Sequence, residues 1–304
     1  MRLNIINKIK KKAQGLNTRI IFPEGSDKRI IKAAEYCAEK KICQPILITE
    51  ENTSEKYAKT YSKKTGTPIK TSELIVKKPL FHAACALANG DADGMIGGCV
   101  YTSGEFIAVS KAIVGLQKGI SVPSSFFVMT FPKREPLVYA DCAVNPNPTP
   151  KELADIAITT ARSVKTLLGW KPRVAMLSFS TRGSATHPEV NDVIKAEAIT
   201  DKKARDLMID GEFQADTALV LSTAKRKIKG RLGGVAGKAN TLIFPDLDAG
   251  NIAYKLTQIL AGANAYGPFL QGFNKVISDL SRGASVEDII GTISVVSYWA
   301  RRMK

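Results

Sequence analysis

The stretch TRIIFPEGSDKRIIKAAEYCAEKKICQPILITE, residues 18–50, decides the fold. Its first part, TRIIFPEG (18–25), is a short apolar run stopped by Pro23 and Gly25, which reads as a buried strand. SDKRIIKAAEYCAEKKI (26–42) then switches to helical spacing, with Ser26 or Asp27 placed to cap it. QPILITE (44–50) is the next strand. A strand, a helix and a strand in so short a span predict a parallel pair joined by a right-handed crossover.

The pattern extends outward in both directions. Upstream, MRLNIINKIKKKAQGL (1–16) is basic and amphipathic, lacks the apolar core of a secretory leader, and is read as a solvated first helix. Downstream, SELIVKKPLFHAACALANGDA (72–92) is helical with a bend or restart at Pro79. DGMIGGCV (93–100) is a glycine-rich strand, and SGEFIAVSKAIVGL (103–116) is a helix. VPSSFFVMTFP (122–132) opens a run of apolar strands, and PLVYADCAVNPNPT (136–149) adds a strand and a Pro/Asn turn. TPKELADIAITTARSVKTLLGW (149–170) is the clearest amphipathic helix, capped by Thr149. PRVAMLSFSTRGS (172–184), TALVLS (217–222) and KANTLIFPDL (238–247) read as strands, and AGNIAYKLTQILAGA (249–263) as a helix. This alternation predicts an α/β fold with mainly parallel sheets and helices on both faces. The 304 residues suffice for two domains, and GLQKGIS (115–121) breaks the pattern near residue 118.

Composition removes several function classes. No apolar run approaches the ~20 residues a membrane-spanning helix needs. Five cysteines without a CxxC pair argue against a disulfide framework or a zinc site and suit a reducing, cytoplasmic compartment. Two histidines, His82 and His187, leave little for a multi-His metal centre or a Ser-His-Asp triad. The net charge of +16 invites nucleic acid, but the basic residues are dispersed and no aromatics interleave with them. Small polyanionic substrates attract the same sign of charge. GGVAGKAN (233–240) has the wrong glycine spacing for a phosphate-binding P-loop, and no dinucleotide fingerprint follows a strand.

Ligands of such folds collect at the carboxyl ends of strands. There, DLSRGASVED (279–288) pairs Ser285 with Asp288 in a capping pattern, with Gly283 in the turn. Capping leaves Ser281 and Arg282 without a task. A guanidinium beside a helix N-terminus is unfavourable unless an anion sits there, so an oxyanion or phosphate site is the functional reading. SFSTRGSATHP (178–188) is either an anion cradle or a polar loop. FPDLDAGNIAYK (244–255) sets Asp246, Asp248 and Asn251 around Gly250, which is either an ion site or a helix cap. Cys142 reads as a buried thiol.

Six segments in order, YADCAVNPNPTPKELADIA, PRVAMLSFSTRGSA, IDGEFQADTALV, GKANTLIFPDLDAGNIAYK, AYGPFLQG and DLSRGASVEDII, resemble the phosphate acetyltransferases and their relatives, the phosphate butyryltransferases. The resemblance implies two α/β domains of isocitrate-dehydrogenase-like architecture flanking an active-site cleft. The first would be 1–118 plus 271–304, the second 119–270. It implies a homodimer, coenzyme A as a substrate rather than a bound cofactor, acyl phosphate and phosphate as the other substrates, and no metal in the chemistry; composition already argued against a nucleic-acid or membrane partner. The implied reaction is acetyl phosphate + CoA ⇌ acetyl-CoA + phosphate, by thiolate attack in a ternary complex. A butyryl- or propionyl-specific enzyme and a non-catalytic acyl-CoA-sensing module are the alternatives. By resemblance Asp288 is the base for the thiol, Arg282 binds the phosphate or acyl carbonyl, and Ser281 orients the thiol. Ser180, Thr181, Arg182, Asp246, Gly250, Asn251 and Gly283 are candidates for substrate binding. Two positions depart from the family: Ala108 and a site near Ser62 stand where arginines that bind anionic substrate are expected, with Lys111 and Lys63 as nearby point charges.

Overall fold

The computed structural model of the chain describes residues 5–303. Two compact units form, one running up to Gln117 and resuming at Phe273, the other Lys118–Gly272. The first begins with α1 (Ile5–Ala13), β1 (Arg19–Phe22), α2 (Lys28–Glu39) and β2 (Gln44–Leu47). It continues through α3 (Ala58–Thr65), α4 (Ile69–Ile75), α5 (Pro79–Asn89), β3 (Gly94–Gly97) and α6 (Ser103–Ile113). The second unit holds β4 (Ser124–Thr130), β5 (Leu137–Ala140), α7 (Pro150–Ser163), β6 (Arg173–Leu177), α8 (Pro188–Lys203) and β7 (Met208–Phe213). After these come α9 (Ala215–Leu219), α10 (Leu221–Lys227), β8 (Thr241–Ile243), α11 (Leu247–Leu260) and β9 (Asn264–Gln271). The chain then returns to the first unit with β10 (Val276–Asp279) and α12 (Val286–Arg302).

In the first unit the strands lie in the order β2-β1-β3-β10, all parallel. Ile20, Ile21 and Phe22 are buried because helices cover both faces; α5 and α12 each pack on β1 and β3. On α2 the buried residues Ile30, Ala33, Ala34 and Cys37 follow one helical stripe. Cutting Ile30 back to alanine in that seam would cost about 2–5 kcal/mol. Asp27 caps α2, its side chain accepting the Arg29 N–H. Helix α1 is not fully solvated: Ile6, Ile9 and Ala13 are buried as it packs on α12. Residues 1–4 of the basic segment lie outside the described residues. Pro79 does restart the helix, standing first in α5 where a missing N–H costs nothing.

The second unit orders its strands β9-β4-β5-β8-β6-β7. Strands β5, β8, β6 and β7 are parallel, whereas β4 is antiparallel to both β5 and β9. The sheet is thus mixed but mostly parallel. Thr149 and Glu152 form a reciprocal capping box at the start of α7. One expectation fails: TALVLS is not a strand but the junction of α9 and α10. Thr217 and Ala218 are buried there, while Val220 and Leu221 remain exposed, which fits short helices lying on the core. Among the described residues no helix is long and apolar enough to cross a membrane.

Candidate active site

The first unit gathers polar groups where β1, β3 and β10 end. Glu24 follows β1 and is nearly buried. Its carboxylate accepts four backbone N–H groups in the next loop, Gly98 at 3.1 Å, Cys99 at 2.9 Å, Val100 at 2.8 Å and Tyr101 at 2.8 Å. A loop that must turn four N–H groups toward one residue needs an unusual backbone, and Gly98 supplies it at φ +105°. A Cβ at Gly98 would lie 2.2 Å from Asp279 Oδ1 and 2.4 Å from the Leu280 carbonyl oxygen, so only glycine fits. Asp279 ends β10, and its Oδ1 is buried with no hydrogen-bond partner among the described residues. Burial pushes the Asp279 carboxyl up to about 6; a hydroxyl bond from Ser103 opposes this and the nearby Glu24 charge adds to it.

Ser281, Arg282 and Gly283 lie in the turn between β10 and α12, and Asp288 lies in the first turn of α12. The Ser281 carbonyl accepts the Ala284 N–H at 2.9 Å, and its Oγ accepts the Gly283 N–H at 3.2 Å. Gly283 is not required by the turn: its φ is outside the left-handed region, and a Cβ would meet only Ser281 Oγ at 3.8 Å. Ser285 caps α12 and forms a capping box with Asp288. Asp288 Oδ2 accepts both the Ser285 N–H, at 3.0 Å, and the Ser285 hydroxyl, at 2.8 Å. Among the described residues its Oδ1 carries no bond, and the side chain is exposed. The capping bonds therefore engage only one of the two carboxylate oxygens. Arg282 is exposed, and among the described residues its guanidinium has no hydrogen-bond or ion-pair partner. An unpaired fork of donors next to a helix N-terminus is suited to an anion.

The other nominated residues belong to the second unit, where they are occupied in building loops. Arg182 ion-pairs with Asp210 and lies over the Phe213 ring. Ser180 Oγ donates to Glu212 at 2.8 Å, and Thr181 Oγ1 accepts the Gln214 N–H at 3.0 Å. Asp246 caps α11 by accepting the Ala249 N–H at 2.7 Å. Gly250 is a packing position, since a Cβ would meet the Asp141 carbonyl oxygen at 2.2 Å. Asn251 donates to the Cys142 carbonyl at 3.1 Å. These polar groups already have partners within the protein, unlike Arg282. Cys142 is fully buried, and burial raises its thiol well above the ordinary range. His82 Nδ1 lies 3.2 Å from the Val76 carbonyl, and His187 caps α8, so both histidines serve the backbone.

Three organising residues were not anticipated from the sequence: Glu24, Asp141 and Glu212. Asp141 is buried and accepts N–H groups from Ser125 at 3.1 Å, Ala143 at 3.1 Å, Val144 at 3.3 Å and Asn145 at 3.0 Å. Glu212 accepts from the Gly183 N–H at 2.8 Å as well as from Ser180. The available signal was positional: each acid ends or closely follows an apolar strand, in IIFPE, LVYAD and MIDGE.

The model of the family described as phosphate acetyl/butaryl transferase matches residues 4–64 and 49–296. The chain belongs to this family. A phosphate acetyltransferase of Acetivibrio thermocellus is 40% identical over 333 residues, covering 99% of this chain and all of the relative. Among solved structures, a phosphotransacetylase from Streptococcus pyogenes superposes with a TM-score of 0.89 at 34% identity, over 97% of this chain and 98% of that one. Likeness in fold alone extends further, to a 4-hydroxythreonine-4-phosphate dehydrogenase from Klebsiella pneumoniae, with a TM-score of 0.50 at 13% identity over 97% of this chain and 95% of that one. The α/β architecture of the phosphate acetyl/butaryl transferase family is thus shared with a dehydrogenase fold.

Proposed function

We propose that this protein is a phosphate acetyltransferase, converting acetyl phosphate and CoA to acetyl-CoA and phosphate and the reverse. The observation that carries the reading is the β10–α12 junction, where among the described residues Arg282 carries an unpaired guanidinium and Asp288, six residues on, keeps one carboxylate oxygen free. Similarity at 40% identity over the full length of a phosphate acetyltransferase supports acetyl as the acyl group.

The reaction asks for a thiol of ordinary pKa ~8.5 to lose its proton and for two negative charges to be held. Asp288 Oδ1 takes the thiol proton. The thiolate attacks the carbonyl carbon of acetyl phosphate, forming the C–S bond. Arg282 donates to the phosphate and to the oxyanion of the tetrahedral species. Ser281 offers its hydroxyl to the same developing charge. Collapse breaks the C–O bond, and phosphate leaves with the electron pair. No protein nucleophile is needed, which suits a chain whose thiols are all buried. CoA and acyl phosphate must therefore be bound together.

The test is thioester formation from CoA and acyl phosphates of increasing chain length. The expected outcome is turnover that is fastest with the acetyl compound. A preference for the propionyl or butyryl compound would move the assignment within the family, and no turnover with any of them would sink it. We also propose that the active species is a homodimer. Ile252, Leu256, Ile259 and Leu260 form an exposed apolar stripe on α11 that a second copy would cover.

A further inference from the structure

Nothing in the proposed chemistry explains why the Ser281–Arg282 turn holds its place, since its own bonds are few and it is exposed. The answer lies in the loop after β1. Arg29 Nη1 donates to the Arg282 carbonyl at 2.7 Å and to the Ala284 carbonyl at 3.2 Å. Its other nitrogens are fixed by Asp27, with Nε at 3.1 Å from Oδ1 and Nη2 at 2.8 Å from Oδ2, and Nη2 reaches toward the Cys99 carbonyl at 3.5 Å. One planar group thus joins the β1 loop to the β10 loop and touches the β3 loop on the way. Glu24, five residues earlier, holds that β3 loop through its N–H groups. A short segment of chain clamps one neighbour by its donors and the other by its acceptors.

We propose that Arg29, oriented by Asp27, is the positioning residue of the acyl-transfer site, setting the backbone of residues 282–284 and so the aim of the Arg282 guanidinium. This rests on the reading of Arg282 as the anion-binding group. The geometry is what makes Arg29 specific. Lysine is a point charge and cannot hold two carboxylate oxygens and two carbonyls in one plane. Misplacing a catalytic group by about 1 Å can cost on the order of 10²-fold in rate.

The experiment compares Arg29→Lys, Arg29→Ala and Asp27→Asn with the wild type. Asparagine keeps a capping oxygen for α2, so Asp27→Asn isolates the brace from the cap. The expected result is a kcat lower by roughly 10–100-fold in Arg29→Lys, with KM for CoA little changed. Adding guanidinium ion at non-denaturing concentration should restore part of the rate to Arg29→Ala and none to the wild type. Amide hydrogen exchange should rise at residues 282–285 and stay low in β1. Wild-type kcat in folded Arg29→Lys and Arg29→Ala would overturn the proposal, as would unchanged exchange at 282–285. So would a loss of rate that tracks global unfolding in every variant. Exchange does not depend on turnover, so an inactive wild type would sink the functional reading while exchange still judged the brace.

Discussion

In the proposed mechanism one carboxylate, Asp288, serves two tasks. Its Oδ2 joins the cap of α12 while its Oδ1 is free among the described residues, so substitutions can separate structure from chemistry. Asp288→Asn keeps an oxygen for the cap and loses the base. Turnover should fall by ~10²–10⁴ with the melting temperature little changed. Asp288→Ala should lose the same activity and in addition about 1 kcal/mol of stability; a thermal melt beside the rate assay checks both. Asp279 gives a test in pH. Its carboxyl is raised to about 6 in the folded protein, so the folded state keeps the proton to higher pH than the unfolded chain does. Stability from this group is therefore greatest at low pH and declines as pH rises toward 6 and just beyond. Asp279→Asn, which cannot ionise, should melt higher than the wild type at pH 8 and gain less at pH 4.5. An equal shift at both pH values would show that ionisation is not the cause.

At the level of elements, regular periodicity was readable and irregular strands were not. The β1–α2–β2 unit, the caps at Asp27 and Thr149 and the restart at Pro79 followed from spacing and capping chemistry. Strand β9 was hidden because Gly267 and Pro268 sit inside it. They fall where the register with β4 slips between Phe126 and Val128. TALVLS misled because a short apolar run has no period long enough to tell strand from helix. In the candidate site, Ser281 and Arg282 stood out from local pattern as an anion site and Asp288 as a cap, while the role of Asp288 as base came from the resemblance alone. Glu24 and Arg29 were not legible, because the loops they hold lie 70 to 255 residues away. The departures from the family also belong to this scale. Ala108 is exposed on α6, one turn from exposed Lys111, and α3, which carries Ser62, packs against α6. Ala108→Arg should supply a bidentate phosphate contact and lower KM for CoA about tenfold. No change in KM would remove this face of α6 from CoA binding.

For the whole molecule, the apolar stripe on α11 predicts its assembly. Ile259 and Leu260 are 77% and 80% exposed in the single chain, unusually open for residues of their size. Ile259→Asp with Leu260→Asp should convert a dimer to a monomer in sedimentation, with the fold of each unit intact by circular dichroism. A wild type that sediments as a monomer would remove the basis for the homodimer.

The discontinuity of the first unit has a consequence for biosynthesis. Its sheet needs β10 and its seam needs α12, yet both emerge from the ribosome only after all of Lys118–Gly272 has been made. The inserted unit has every one of its own strands in hand by Gln271 and can be finished first, whereas the earlier-translated half waits with the apolar stripe of α2 uncovered by α12. A nascent chain stalled before residue 276 would present that unfinished half to chaperones.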